Sequence, residues 1–455
     1  MERETFKSRL GFLLLSAGCA IGIGNVWRFP YVVGEYGGGA FVLFYIFFLI
    51  IVGVPVLSME FAIGRASKKS TVKAYYVLEK PGQKWHIHGY IAMIGNYVLM
   101  MFYTTVSGWM LHYFYSFMTG KMEGLSTTEV TGAFNDMLSK PKTMTFWMLL
   151  VVIIGFTICS FGLQKGVERV TKGMMIALLG IMIVLAVHSF SLNGGLEGLK
   201  FYLYPDFERM KQVGIGRTIV AAMNQAFFTL SLGIGAMAIF GSYLDKSRSL
   251  LGESFHIACL DTFVAFVSGL IIFPACFAYG VNPDSGPSLI FITLPNVFNA
   301  MAGGKIWGSL FFLFMSFAAF STIIAVFENI LACFMDIWPM NRKKAAVINL
   351  FFVGIASMPC ILGYNLWSGF TPLGANTAVL DLEDFIVSNL LLPMGSVIYL
   401  LFCVSKVGWG FSNYQKEANE GKGITVPNWI RGYVTYILPF IILFLFIQGL
   451  LGVFH

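Results

Sequence analysis

Residues 16–30 read Ser16-Ala17-Gly18-Cys19-Ala20-Ile21-Gly22-Ile23-Gly24-Asn25-Val26-Trp27-Arg28-Phe29-Pro30. They interrupt a long apolar stretch near the start of the chain. Glycines weaken a helix in its interior, and an asparagine and a guanidinium at mid-depth in a membrane are expensive. The backbone is therefore expected to open here and hold something polar, which places a solute site inside a membrane.

Composition supports that setting. Of 455 residues, 57% are hydrophobic and only 12% charged, against roughly a quarter charged in a soluble domain. The apolar residues fall in runs near the length that crosses a hydrocarbon core of about 30 Å. Spans are predicted at 10–36, 40–64, 88–117, 144–162, 170–190, 217–242, 253–280, 305–335, 344–363, 384–404 and 431–452. The fold class is an all-α polytopic membrane protein of eleven helices in one transmembrane domain, residues 1–455. The first span is read as retained and not as a cleaved leader, because Arg28 and Pro30 break its apolar core and more spans follow.

Lysine and arginine placement sets the expected orientation. With the amino terminus cytoplasmic, the inner segments hold 21 basic residues and the outer segments 8, Arg28 being counted in neither. Eleven spans then put the carboxyl terminus outside. The net charge of +7 is dispersed through short inner loops, which suits anionic lipid head groups. No basic patch interleaved with aromatics points to nucleic acid. The seven cysteines form no CxxC pair and read as small buried hydrophobes. The six histidines form no ligand motif and no nucleophile-base pair is evident, so an enzyme is not expected. A channel would need a continuous polar pore, which no span shows.

A second break matches the first. Residues 225–236 read Gln225-Ala226-Phe227-Phe228-Thr229-Leu230-Ser231-Leu232-Gly233-Ile234-Gly235-Ala236, and Gly233-Ile234-Gly235 repeats Gly22-Ile23-Gly24. Each break begins a set of five spans, 8–190 and 217–405, that start from opposite sides, with 430–453 as an additional helix. Paired glycine-broken helices in an inverted repeat point to a midplane site of a secondary transporter. The alternative is that each Gly-x-Gly is a notch for helix packing.

Residues 22–30 followed by Glu35-Tyr36-Gly37-Gly38-Gly39-Ala40-Phe41 resemble the signature of the neurotransmitter:sodium symporters. Met59 to Arg65, Gly166-Val167-Glu168-Arg169, Gln225 to Gly235 and Ser285 to Phe291 extend the resemblance along nearly the whole chain, toward the bacterial amino-acid branch. The resemblance implies sodium-coupled uptake of an amino acid by alternating access across the cytoplasmic membrane, with two Na⁺ and no organic cofactor. One sodium would meet the Ala20 carbonyl, Asn25, Thr229 and Asp261. The second would meet the carbonyls of Gly18, Ile21 and Ala318 and the hydroxyls of Ser321 and Thr322, whose other reading is back-bonding to their own helix. The substrate pocket would use Cys19, Ala20, Gly22, Gly24, Leu99, Tyr103, Phe228, Thr229, Ser231, Ile234, Thr322 and Val326, with Tyr103 on the carboxylate and Phe228 as a lid. Arg28 with Asp384 and Arg3 with Asp336 resemble the outer and inner gate pairs.

Unwound backbone gives that implication a physical sense. Freed carbonyls suit a hard cation, and bare amides at the start of the next half-helix suit a carboxylate. Relatives of the amine-carrying kind place Asp at the position of Gly22, so glycine favours a substrate with its own acid group. The apolar lining favours a neutral hydrophobic or aromatic side chain. Asp261 stands where many relatives have Asn, and Ala265 where an anion ligand is expected. Asp261 is therefore expected to supply a fixed charge in place of chloride. A proton-coupled or sodium-independent exchanger is the alternative, since Asp261 could titrate. Glu60 and Glu328 are read as anchors of the unwound backbone of the first and sixth spans. The fifth span has Met174-Met175-Ile176-Ala177 where relatives often have a proline, leaving Gly173 and Gly180 to soften it. The partners expected are the amino acid and lipid, with a monomer or dimer left open.

Overall fold

The computed structural model describes residues 4–280, 289–375 and 377–451. Nine helices among the described residues are long and apolar enough to cross a membrane, or ten crossings if the bent pair Arg9–Ala20 and Gly24–Glu35 counts as one. That pair is span 1. The others, named by the predicted order, are span 2 (Gly39–Ser67), span 3 (His86–Met118), span 4 (Pro141–Ser160), span 5 (Leu163–Phe190), span 7 (Leu250–Ala278), span 8 (Gly304–Ile337), span 9 (Arg342–Leu362), span 10 (Val379–Val404) and span 11 (Ile430–Leu451). At the place predicted for span 6 lie two shorter helices, Ile215–Thr229 and Ala236–Tyr243.

Burial separates an inner from an outer set. The most apolar window of span 8 is 83% buried and that of span 3 is 72%, whereas spans 5 and 11 reach 33% and 28%. Helices apolar on all sides but covered by protein on one belong at the lipid-facing rim. Small residues let the inner helices meet backbone to backbone. A Cβ on Gly64 would strike the Ala238 carbonyl, and one on Gly241 the Phe61 carbonyl, so span 2 and Ala236–Tyr243 pack as closely as glycine allows.

Both breaks are real interruptions of helix. In span 1 the Ile21 N–H closes the last turn on Ala17 O at 2.6 Å, and Ile21 then leaves helical geometry with ψ 96°. The chain restarts in a wide turn over Gly24–Arg28, bent by 57° from the first half. In span 6, Ser231, Gly233 and Gly235 take φ of 50°, 101° and 76°, the left-handed region that glycine enters without penalty. Side chains satisfy the groups this frees: Glu60 accepts from the Gly233 and Met237 N–H, both at 3.2 Å. Thr71 Oγ1 donates to Gly235 O at 3.0 Å and Asn96 Nδ2 to Ile234 O at 2.8 Å. Replacing Glu60 by leucine strands two buried N–H groups, so an apparent stability loss of about 2–4 kcal/mol is expected, read as a lower Tm in detergent; an unchanged Tm would mean the break holds itself.

Several expectations change. Glu328 does not anchor unwound backbone: it pairs with Arg342 at 2.6 Å and accepts from the Tyr243 hydroxyl at 2.7 Å, because a fully buried carboxylate is best matched by a bidentate guanidinium. Cys259 is exposed whereas the other six cysteines are buried; it lies on an outward face of span 7. Span 10 begins at Val379, before the predicted 384, because Asp381 accepts from the Ala378 N–H at 2.6 Å and caps the helix. Span 5 begins at Leu163, since the turn over Leu163–Glu168 continues into its helix. Gly173 and Gly180 face open space.

Candidate functional site

A cavity of about 310 Å³ lies where the two breaks meet. Span 1 contributes Cys19, Ala20, Gly22 and Gly24, span 3 Leu99 and Tyr103, the sixth-span region Phe228, Thr229, Ser231 and Ile234, and span 8 Thr322. Val326 is not part of the wall; one turn beyond Thr322, it is 1% exposed and packs in the core. Residues not anticipated also line it: Phe102 and Val106, Trp27 and Tyr31, and Leu380, Asp381, Val387 and Leu392 of span 10. Helical spacing from known positions would have found several, since Val106 follows Tyr103 by three, Tyr31 follows Arg28 by three and Asp381 precedes Asp384 by three.

The polar floor is built from the first break. The Ile23 N–H donates to the Tyr103 hydroxyl at 2.9 Å, and the Gly22 N–H approaches Asn25 Oδ1 at 3.4 Å. A Cβ on Gly22 would overlap the Tyr103 hydroxyl and come 2.6 Å from Thr322 Oγ1. The floor therefore carries amides and hydroxyls in a space that only a residue without a side chain leaves free. Hydrogen-bond donors at a helix start favour an anion such as a carboxylate.

Two oxygen clusters flank this floor. In one, Asp261 is fully buried. Its Oδ1 accepts from Asn25 Nδ2 at 2.8 Å and its Oδ2 from the Thr229 hydroxyl at 2.8 Å. The Asn25 Nδ2 also reaches Asp261 O at 3.1 Å, and Gln225 Nε2 donates to Gly24 O at 3.3 Å. The buried Tyr45 hydroxyl sits beside Asp261, Thr229 and Thr262, and Gln225 Oε1 is buried without a hydrogen bond. Ala265, also fully buried, adds no polar atom.

In the other cluster, Ser321 Oγ donates to Ala318 O at 2.8 Å and to Ile21 O at 3.3 Å. Thr322 Oγ1 is 3.2 Å from Gly18 O, 3.3 Å from Cys19 O and 3.3 Å from Ile21 O. The backbone acceptors of the Thr322 hydroxyl thus all lie on span 1, and back-bonding describes only Ser321. Gly18, Ile21, Ala318, Ser321 and Thr322 converge as neutral oxygens, a set suited to a hard monovalent cation. Among the described residues no three His, Cys, Asp or Glu side chains gather to hold a metal ion.

Toward its mouth the cavity is lined by Arg28 and Asp384. They are not paired: the Arg28 guanidinium lies 4.1 Å from the centre of the Phe228 ring, and Asp384 Oδ1 accepts from Ser388 Oγ at 2.7 Å. The opposite, amino-terminal side is tied shut by other residues. Glu168 accepts from the Lys7 N–H at 2.9 Å and the Ser8 N–H at 3.2 Å, Arg9 pairs with Glu253 at 2.9 Å, and Glu4 accepts from the Leu163 N–H at 2.8 Å. Asp336 Oδ2 accepts from the Ser70 N–H at 2.9 Å. Arg3 and the segment Ser285 to Ser288 lie outside the described residues. The Glu168 and Glu253 anchors were not anticipated, and their signal is a carboxylate in the opening turns of an apolar span.

The family described as "Sodium:neurotransmitter symporter family" matches over residues 3–129 and 128–453. An "uncharacterized sodium-dependent transporter" of Haemophilus influenzae is 33% identical, covering 99% of this chain and 98% of its own. A relative of the same description in Bacillus subtilis is 33% identical over 98% of both chains. The crystal structure of MhsT in complex with L-phenylalanine superposes with a TM-score of 0.87 at 35% identity, covering 98% of this chain and 100% of that one.

Proposed function

The chain belongs to the sodium:neurotransmitter symporter family, and on that premise we propose that it takes up a neutral hydrophobic or aromatic L-amino acid together with sodium. It is a multi-pass membrane transporter whose family uses sodium. The observation that carries the substrate class is the cavity wall. Amides and hydroxyls gather at one end around Gly22 and Tyr103, while Leu99, Phe102, Val106 and Ile234 line an apolar stretch of the wall, apart from the charged Arg28, Asp381 and Asp384. A zwitterion fits with its carboxylate at the break and its side chain among the apolar residues. That the relative MhsT was solved with L-phenylalanine bound supports an aromatic ligand.

Two sodium ions are assigned to the two oxygen clusters. The first would meet the Ala20 carbonyl, Asn25, Thr229 and Asp261, and the substrate carboxylate would complete it, so that neither binds well alone. The second would meet Gly18, Ile21, Ala318, Ser321 and Thr322, joining span 1 to span 8. Transport then alternates between an outer opening past Arg28, Phe228 and Asp384 and an inner one past the amino-terminal segment, Arg3 and Asp336. Counting Ile215–Thr229 with Ala236–Tyr243 as one interrupted crossing gives eleven, arranged as two inverted sets of five, with the amino terminus in the cytoplasm and the carboxyl terminus outside.

Asp261 makes chloride dispensable in this reading. Its carboxylate already takes the donors of Asn25 and Thr229, and a second anion beside it would meet like charge at low dielectric. Uptake at constant sodium is expected to be the same in gluconate as in chloride, and a collapse in gluconate would overturn the assignment. The substrate class is tested by a thermal-shift screen of the standard amino acids with and without sodium, since a ligand stabilises the state it binds. Stabilisation by aromatic and large aliphatic amino acids in sodium alone is expected; stabilisation by acidic or basic ones would refute the class.

A further inference from the structure

Among the described residues, buried carboxylates accept hydrogen bonds, with one exception. Glu60 accepts from backbone N–H groups, Glu328 pairs with Arg342, Asp261 accepts from Asn25 and Thr229, and Glu168 accepts from the Lys7 and Ser8 N–H. Among the described residues, Glu383 is the one carboxylate whose two oxygens are both buried and both without a hydrogen bond. Its residue is 4% exposed.

The surroundings of Glu383 offer no cation to compensate a charge, only the Cys360 thiol as a weak donor beside it. Its ionisable neighbours are the Cys360 thiol in span 9's last turn, Tyr364 just beyond it, and Asp381 on its own helix. Thr105 of span 3 is near, but its hydroxyl donates to Met101 O at 3.3 Å. Asp384, next in the chain, bonds Ser388 and lines the cavity mouth. No basic side chain pairs with Glu383 among the described residues. An ionised carboxylate in such a place carries a desolvation penalty of several kcal/mol that a weak thiol donor does not offset, and a negative Asp381 adds repulsion. A neutral carboxyl avoids both.

Position gives that proton a consequence. The single short helix Val379–Phe385 presents Asp381 and Asp384 to the mouth of the cavity, while Glu383 is buried away from it. The start of this helix is pressed against the residue that ends span 9, where a Cβ on Gly363 would come 3.1 Å from the Val379 nitrogen. We propose that Glu383 is a proton-binding site whose occupancy keeps the first turn of span 10 docked, so that the cavity mouth responds to pH. Losing the proton would create a bare buried carboxylate, and the turn would swing toward water, carrying Asp381 and Asp384 with it.

Two readouts on the full-length protein and its Glu383→Gln variant test this. Glutamine copies the shape of the neutral acid and cannot ionise. In infrared difference spectra of purified protein near neutral pH, a protonated-carboxyl C=O band present in the parent should be missing from E383Q; an unchanged band region overturns the site. L-Phenylalanine affinity in saturating sodium should fall in the parent as pH rises, with a limiting slope of about tenfold per pH unit beyond ionisation, while E383Q stays flat. Parallel pH profiles overturn the coupling to the mouth. The binding readout rests on the amino-acid reading above, whereas the infrared readout needs no ligand, so a failure of that reading leaves the proton site decided.

Discussion

Gly22→Ala is expected to abolish measurable binding of L-phenylalanine, weakening it by about 100-fold or more, or ~3 kcal/mol. Gly22 does not have positive φ, so alanine meets no backbone penalty and even favours helix. The effect comes from space. The added methyl overlaps the Tyr103 hydroxyl and approaches Thr322 Oγ1 at 2.6 Å, one atom on a rigid buried ring and the other on a β-branched side chain. They must move apart, and the pocket for the substrate carboxylate closes. A Tm without ligand close to that of the parent, together with lost ligand-induced stabilisation, is the expected pair of results. Normal affinity in G22A would mean that the carboxylate binds elsewhere.

Removing the two hydroxyls of span 8 is expected to have a comparable effect on sodium. Ser321→Ala with Thr322→Val deletes two of the five oxygens that gather at 3.3 Å or less around Gly18, Ile21 and Ala318. At about 1–2 kcal/mol for each lost polar contact, half-saturation by sodium should rise about 100-fold. It is read from a sodium titration of substrate-induced thermal stabilisation. Span 8 should remain helical, because neither hydroxyl belongs to its backbone ladder. S321A alone isolates the ion, since Thr322 also faces the substrate cavity whereas Ser321 does not line it. An unchanged titration would mean that the hydroxyls only brace span 1 against span 8.

Local signals made much of this site readable before any coordinates. Glycines at 22, 24, 233 and 235 mark the breaks because backbone preference is a property of each residue alone, and the family resemblance then placed Tyr103, Asp261, Ser321 and Thr322 in register beside them. What stayed hidden depends on which side of a helix faces inward. Val326 and Thr322 are both on span 8, one turn apart, yet only Thr322 reaches the cavity. Glu328 could not be matched with Arg342 without knowing that spans 8 and 9 fold back at that depth. The exposure of Cys259 and the bare carboxyl of Glu383 are likewise products of packing between spans. The Glu60 bonds to Gly233 and Met237 show the favourable case, where a lone buried carboxylate and a run of freed amides had only each other as partners.

The most direct test of sodium-coupled uptake uses proteoliposomes holding the purified protein. An inward sodium gradient should drive labelled L-phenylalanine to a level above that outside, and a sodium ionophore should release it. Accumulation of the same size with choline replacing external sodium, or under a proton gradient alone, would contradict the account.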